Sequence, residues 1–401
     1  MKKLYEEDDI QAIADAIRTK RNVQLAPVGK MKAGDMAGAI KGIQLGCPIN
    51  VSVHMQDGKW VRPAEWPDLD AFTYGEDELY MTFDASDRID DPHCSFTISG
   101  AAYTVEINGQ TWTKLAGTTF TYAFTQADGT YPLVHVKAEG HIAAFYFSTY
   151  TIDGRTYTAR QNSLVERVGD VYNYGNNNAW STLYLEREKV LRHACTSSSS
   201  GLSETWSGCC SLQSLDLSGW NTTGWAVTSL AYTWYSCYSL QSLDLSGWDT
   251  TGWAVTSLTQ TWYCCYSLQS LDLSSWDTTG WAVKDLQRTF TSMISLRSLD
   301  VSAIDMSKIT SWGNSSYPSA THRMITTFKC GESNYGKFAP TSYVYLNISL
   351  SNMLTRESLL EFGKMLGTVT TKHYLVMGSM LSNKLTTEEK AEITAKGWTI
   401  S

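Results

Sequence analysis

Charge is scarce in this chain, at 18% of 401 residues, and so is proline, with 8. A net charge of −8 leaves no basic excess, which argues against a nucleic-acid or anionic-membrane partner. No apolar run approaches the roughly 20 residues of a membrane-spanning helix, so no membrane insertion is expected. The opening MKKLYEEDDIQAIADAIRTK lacks the apolar core of a secretory signal, which argues for synthesis in the cytoplasm and against structural disulfides among the 9 cysteines. Those cysteines show no paired C-x-x-C order and no histidine or carboxylate at ligand spacing, so neither metal nor cofactor is expected. Catalytic signatures are missing as well. The 7 histidines fall in no H-E-x-x-H motif and beside no recognised nucleophile, and no glycine loop could cradle a phosphate. DASDRIDD, residues 84–91, lacks the glycine and closing glutamate of an EF-hand loop and reads as a solvated loop. The chain is not expected to be an enzyme.

What is abundant is aromatic: 15 Trp and 22 Tyr, which mean rigid packing or a binding surface. Many of the tryptophans belong to a repeat. Leu212, Leu240, Leu268 and Leu296 stand 28 residues apart, and a fixed period of that size predicts a solenoid. In each unit SLQSLDLS predicts a short strand, with Leu243 and Leu245 inward. Leu230, Trp234 and Cys237, like Leu258, Trp262 and Cys265, are spaced i, i+4, i+7, which predicts the inner face of a short helical turn. Stacking then predicts one internal column of Trp206, Trp234, Trp262 and Phe290, and another of Cys209, Cys237, Cys265 and Met293.

Upstream, Ile10, Ile13, Ala14 and Ile17 share one helical face, and a second amphipathic piece covers 34–43. Residues 49–150 alternate in short runs between turn signals, the pattern of an antiparallel β-sandwich. Downstream, a helix is expected near 355–366, then a helix with Thr386 and Glu389 as a capping box and Gly397 as its stop, then a closing strand, WTIS. The expected fold is α+β and multidomain. A helical hairpin (1–48) precedes an antiparallel β-sandwich (49–150), a connector (151–180) and a leucine-rich-repeat solenoid with parallel strands and an α/β cap (181–401).

The unit LQSLDLSGWDTTGWAVTSLTQTWYCCYS resembles the BspA-type leucine-rich repeats of bacterial surface antigens, with Trp248, Val255, Leu258, Trp262 and Cys265 at the family's apolar positions. Three units depart from it by two extra residues, Trp225-Ala226, Trp253-Ala254 and Trp281-Ala282, absent from the fourth. The stretch YTVEINGQTWTKLAGTTFTYAFTQADGTYPLVHVKAEG resembles a PKD-like sandwich that has lost its Trp-Gly-Asp core. The N-terminal helices and the ending LTTEEKAEITAKGWTIS look like those of phage tail and baseplate-associated proteins. Together these imply a virion protein made in the host cytoplasm, with residues 1–48 attaching it to other tail or baseplate subunits. Phage tail fibres are commonly trimers, and homo-oligomerisation is one implied option.

Solenoid insertions go to surface loops, so Trp225, Trp253 and Trp281 are candidate receptor-contacting rings, with packing or subunit contact as the competing role. On the sheet face, Gln213, Gln241 and Gln269 with Asp216, Asp244 and Asp272 are candidate polar contacts. A row of identical carboxylates offers no acid–base asymmetry for catalysis. Two functions follow. One is an adhesin contacting a host-cell glycan or protein. The other is a purely structural tail-tip, baseplate or decoration protein touching only other virion subunits.

Overall fold

The structure, a computed structural model, describes residues 54–56, 59–87, 91–140, 142, 144–152, 155–157, 163–172, 185–194, 202–220, 222–286, 288–312, 324–341 and 343–401. The expected helical hairpin lies outside them. Strand predominates within them, and helices are few.

A short hairpin, β1 (Met55–Gln56) and β2 (Lys59–Trp60), precedes the antiparallel part. There the alternating runs form β3 (Glu78–Phe83), β4 (His93–Ser99), β5 (Tyr103–Ile107), β6 (Gln110–Lys114), β7 (Thr119–Ala123), β8 (Leu133–Ala138) and β9 (Ala144–Phe147). A hairpin of β10 (Tyr150–Ile152) and β11 (Arg155–Tyr157) follows. Strands β3, β8, β5 and β6 pair in that order, and β7, β4 and β9 make a second sheet. The inward alternation buries Met81, Val105 and Val136 of the first sheet with Phe96, Ile98 and Phe120 of the second. Phe96 meets Tyr103 at 6.3 Å and Trp112 meets Phe120 at 5.7 Å, joining the two sheets. β3 is buried on both faces, because Leu69, Tyr80 and Val168 form a small second cluster on its far side.

The segment expected as a connector carries the strand that joins the halves. β12 (Leu164–Tyr172) runs antiparallel to β3 and parallel to β13 (Arg187–Ala194). β13 is parallel in turn to β14 (Ser214–Asp216), and β14 to β15 (Ser242–Asp244). One eight-stranded sheet therefore runs from the antiparallel half into the repeats, in the order β15-β14-β13-β12-β3-β8-β5-β6. β12 passes so close to β3 that a Cβ on Gly169 would lie 2.5 Å from the Glu78 carbonyl, so only glycine fits there.

In the repeats, Ser-Leu-Asp is the strand of each unit: β14, β15, β16 (Ser270–Asp272) and β17 (Ser298–Asp300). The registers align Leu215 with Leu243 and Leu271 with Leu299, one unit apart. The ladder is interrupted between β15 and β16, where Leu243 is only partly buried. Elsewhere the units stay stacked across that step. Trp206, Trp234, Trp262 and Phe290 lie at centroid spacings of 5.7, 5.4 and 5.7 Å, nearly parallel. Cys237 and Cys265 donate from Sγ to the carbonyls of Trp206 and Trp234, at 3.1 and 3.2 Å. Buried Thr261 donates to the carbonyls of both Leu230 and Leu258, tying one unit to the next.

The expected short helical turn is a train of tight turns instead. Leu230, Trp234 and Cys237 do face inward, all fully buried. Alternate N–H groups close turns, as Thr233→Leu230 and Tyr235→Tyr232, while those between reach the next unit, as Tyr232→Thr259 and Trp234→Thr261. In the turns closed by Thr233→Leu230 and Cys237→Trp234 the third residue, Tyr232 or Ser236, is left-handed. Glu204, Tyr232, Gln260 and Arg288 occupy one such column, and Gly208, Ser236, Cys264 and Ser292 the next, all with positive φ. A helix would keep every N–H inside its own unit; the turn train shares half of them with a neighbour.

The cap matches its expectation closely. It contains β18 (Thr327–Lys329), β19 (Tyr345–Asn347), α1 (Arg356–Met365), β20 (His373–Val376), α2 (Gly378–Ser382), α3 (Thr387–Ala395) and β21 (Trp398–Ile400). Thr386 and Glu389 form the capping box, and Gly397 follows α3 with φ 90°. α2 was not foreseen. β18 extends the β16–β17 ladder, and β19, β20 and β21 make a separate parallel sheet.

Candidate functional site: the outward face of the repeat sheet

The strands position the site by alternation. With leucine inward, the serine and aspartate of each Ser-Leu-Asp point outward. Register places Arg187, Ser214 and Ser242 in one row and Lys189, Asp216 and Asp244 in the next. Beyond the interruption, Ser270, Ser298 and Thr327 continue the first row and Asp272, Asp300 and Lys329 the second. Neighbours within each block are spaced by about 4.8 Å, the separation of strands. A lysine thus stands at either end of four carboxylates.

Each aspartate also ends its own strand. Asp216 Oδ1 accepts from the N–H and hydroxyl of Ser218 at 3.1 and 2.7 Å, and Asp244 from those of Ser246 at 3.0 and 2.7 Å. Ser274 and Ser302 donate their N–H to Asp272 and Asp300 at 2.9 and 3.0 Å. The Ser274 hydroxyl, and then its N–H, hold the Asp272 carboxyl below the usual carboxylate range. These are Asx-type turns, for which Asp is the residue of choice. Asp244 and Asp272 remain exposed, and Asp216 is half-buried.

The glutamines divide. Gln241 and Gln269 are partly exposed, but Gln213 is 3% exposed. It accepts the His54 N–H at 3.1 Å and donates to Glu186 at 3.0 Å, while the His54 ring lies 2.6 Å from the same carboxylate. The segment from His54 to Tyr74 lies over the first strands here, so Gln213 is removed from the candidate surface.

The same segment builds a charge cluster that no sequence motif announces. Arg62 binds Glu166 and Asp70 at 2.8 and 3.0 Å and also pairs with Asp68. Arg187 pairs with Glu166 and binds Asp70 at 3.0 Å, with Lys189 beyond at 3.5 Å. Both guanidiniums also stand over the Trp60 ring, 5.7 and 5.2 Å from its centroid. Burial would raise the Asp70 carboxyl, but hydrogen bonds and charge from Arg187 and then Arg62 outweigh it and hold the carboxyl low. On the inner side of the same strands Arg167 meets Glu188 at 2.5 Å, and Trp206 Nε1 donates to Glu188 at 2.8 Å. Burial pushes the Glu188 carboxyl up against the pull of Arg167 and that indole. The signal was the swapped order of VERV and EREK: in parallel register, Glu166 faces Arg187 and Arg167 faces Glu188.

The inserted tryptophans are a correction. Trp225, Trp253 and Trp281 are 9%, 1% and 4% exposed and belong to the main core, so they form no open ring platform. The preceding TTG supplies the reason. Trp225, Trp253 and Trp281 donate their N–H to Thr222, Thr250 and Thr278, and Gly224 and Gly252 are left-handed at φ 78° and 79°. That turn folds the ring inward onto Trp220, Trp248 or Trp276, at 5.1, 5.5 and 5.5 Å. Alternation then puts Ala226, Ala254 and Ala282 outside.

Cys209, Cys237 and Cys265 of the column are buried. Burial pushes the thiols of Cys237 and Cys265 up. Among the described residues, no three His, Cys, Asp or Glu side chains gather as a metal site, and no helix is long and apolar enough to cross a membrane. Cys210 is disulfide-bonded, contrary to expectation; such a bond persists where the surroundings are oxidising. No family model matches the chain, and neither curated proteins nor solved structures include a significant match.

Proposed function

We propose that the chain is a non-enzymatic bacteriophage virion protein, a tail fibre or receptor-binding adhesin. In this reading the repeats are a BspA-like leucine-rich-repeat solenoid, the antiparallel half is a PKD-like sandwich, and residues 1–48 attach the protein to tail or baseplate subunits. The outward sheet face contacts a glycan or protein on the host surface. The carrying observation is the pair of hydroxyl and carboxylate rows, held in register at strand spacing and open beyond the segment that covers Gln213. Identical groups at a fixed interval suit a repetitive polymer better than a single reacting bond.

The burial of Trp225, Trp253 and Trp281 favours the second reading, a structural tail part that contacts only virion subunits. Adsorption of the full chain to host cells separates the two. The adhesin reading expects saturable adsorption that falls severalfold in a variant carrying Asp244→Lys and Asp272→Lys. Absence of adsorption by the wild-type chain would leave the structural reading.

A further inference from the structure

A cluster of rings that reaches solvent lies on the cap. Register sets Tyr345 beside Tyr374, and Tyr374 beside Thr399. Alternation puts Tyr343 and Asn347 on the face of Tyr345, and Lys372 and Val376 on the face of Tyr374, while Val344, Leu346 and Leu375 are buried beneath. Tyr343 meets Tyr374 at 6.1 Å and 64°, and Tyr345 meets it at 6.0 Å and 47°. The rings meet at an angle and are not stacked face to face. Tyr343 is 59% exposed, against 36% for Phe72. In a molecule that buries nine tryptophans between 206 and 281, an open aromatic patch is an exception. Lys372 Nζ stands 5.1 Å above the Tyr374 ring and is the one charged side chain in these outward rows.

We infer that Tyr343, Tyr345, Tyr374 and Lys372 form a glycan-binding site for an anionic sugar, one carrying a uronate or a phosphate. Tyrosine offers an apolar face to the C–H side of a pyranose and a hydroxyl to its polar rim. Lys372 supplies the charge complement. Protein partners concentrate affinity in anchors seated in desolvated pockets, whereas these rings lie on an open sheet face. The inference rests on the adhesin reading only for where the glycan comes from.

The test is retention of the full chain on an oligosaccharide array with neutral, uronate and phosphate polymers, followed by calorimetry on the retained class. The expected result is retention by uronate or phosphate polymers, the two arms telling which anion is used. Tyr374→Ala should weaken binding about tenfold, the scale of one lost aromatic contact. Lys372→Gln should weaken it by up to about fivefold and flatten its salt dependence. Tyr343→Ala, at an exposed position, gives the same readout if Tyr374→Ala fails to fold. Retention by neutral polymers alone overturns the anionic assignment. A blank array, or affinities unchanged in the tyrosine variants, overturns the site. Protease-sensitive, periodate-resistant adsorption to cells beside a blank array identifies a protein partner instead. If cells bind the wild-type chain and the tyrosine variants equally, the adhesin reading stands and this site falls. Tyrosine-dependent array binding without any host-cell adsorption is the reverse outcome.

Discussion

Arg167 and Glu188 are each about 1% exposed or less in their side chains, at the strand pair where the two halves of the molecule meet. Such a pair is costly to desolvate, and removing Glu188 takes from buried Arg167 its ion-pair partner. Glu188→Ala should therefore destabilise the fold by about 3–5 kcal/mol, measured by urea denaturation. Replacing both residues with Met and Leu should restore much of that loss, because a hydrophobic pair of similar volume carries no uncompensated charge. A single variant no worse than an average surface substitution would mean that water or another group already satisfies Arg167.

At the scale of the element, the turn train carries a conformational strain that the strands lack. Left-handed backbone costs a non-glycine residue about 1 kcal/mol, and each unit has two such positions. Unit one already has glycine at the second, Gly208, where unit four has Ser292 at φ 66°. Ser292→Gly should raise stability by about 0.5–1 kcal/mol, read as a shifted denaturation midpoint with an unchanged slope. A loss of stability would show that the Ser292 side chain contributes more than the strain it imposes. The sequence misled at this same element. Leu230, Trp234 and Cys237 have helical spacing, and their inward direction was legible, but spacing says nothing about which carbonyl receives each N–H. Strands were easier, because Ser-Leu-Asp alternates by two and its aspartate announces the turn. Of the two roles open to the inserted tryptophans, burial favours packing, because an insertion into a repeat need not form a surface loop. The glycine one residue before each ring, and the Trp-in, Ala-out alternation, carried the contrary signal. The cap tyrosines were legible too: Y-x-Y in SYVYLN places two rings on one face. The Arg–Glu layers could not be read without the parallel register of β12 and β13, which no local pattern supplies.

For the whole molecule, the continuous sheet across β12 and β13 is the governing feature. Two domains joined by a flexible connector would unfold separately; halves that share hydrogen-bonded strands are expected to unfold together. Tryptophan emission, dominated by the nine rings between 206 and 281, reports the repeats. Far-ultraviolet circular dichroism reports both halves. The two probes should give coincident urea transitions. Separate midpoints would show that β12 stays with one half after the other has melted.

The parallel ladders from β14 to β18 have a consequence for inheritance. Three of the units are near copies in sequence, 28 residues long, and each offers its successor nearly the same edge that it received. A gene built this way can gain or lose one whole unit by recombination between copies, with the reading frame kept and the new junction matching an old one. The cap and the antiparallel half need no redesign when that happens. The distance between the charged end at Lys189 and the tyrosines of the cap is therefore a heritable length, adjustable in steps of a single strand.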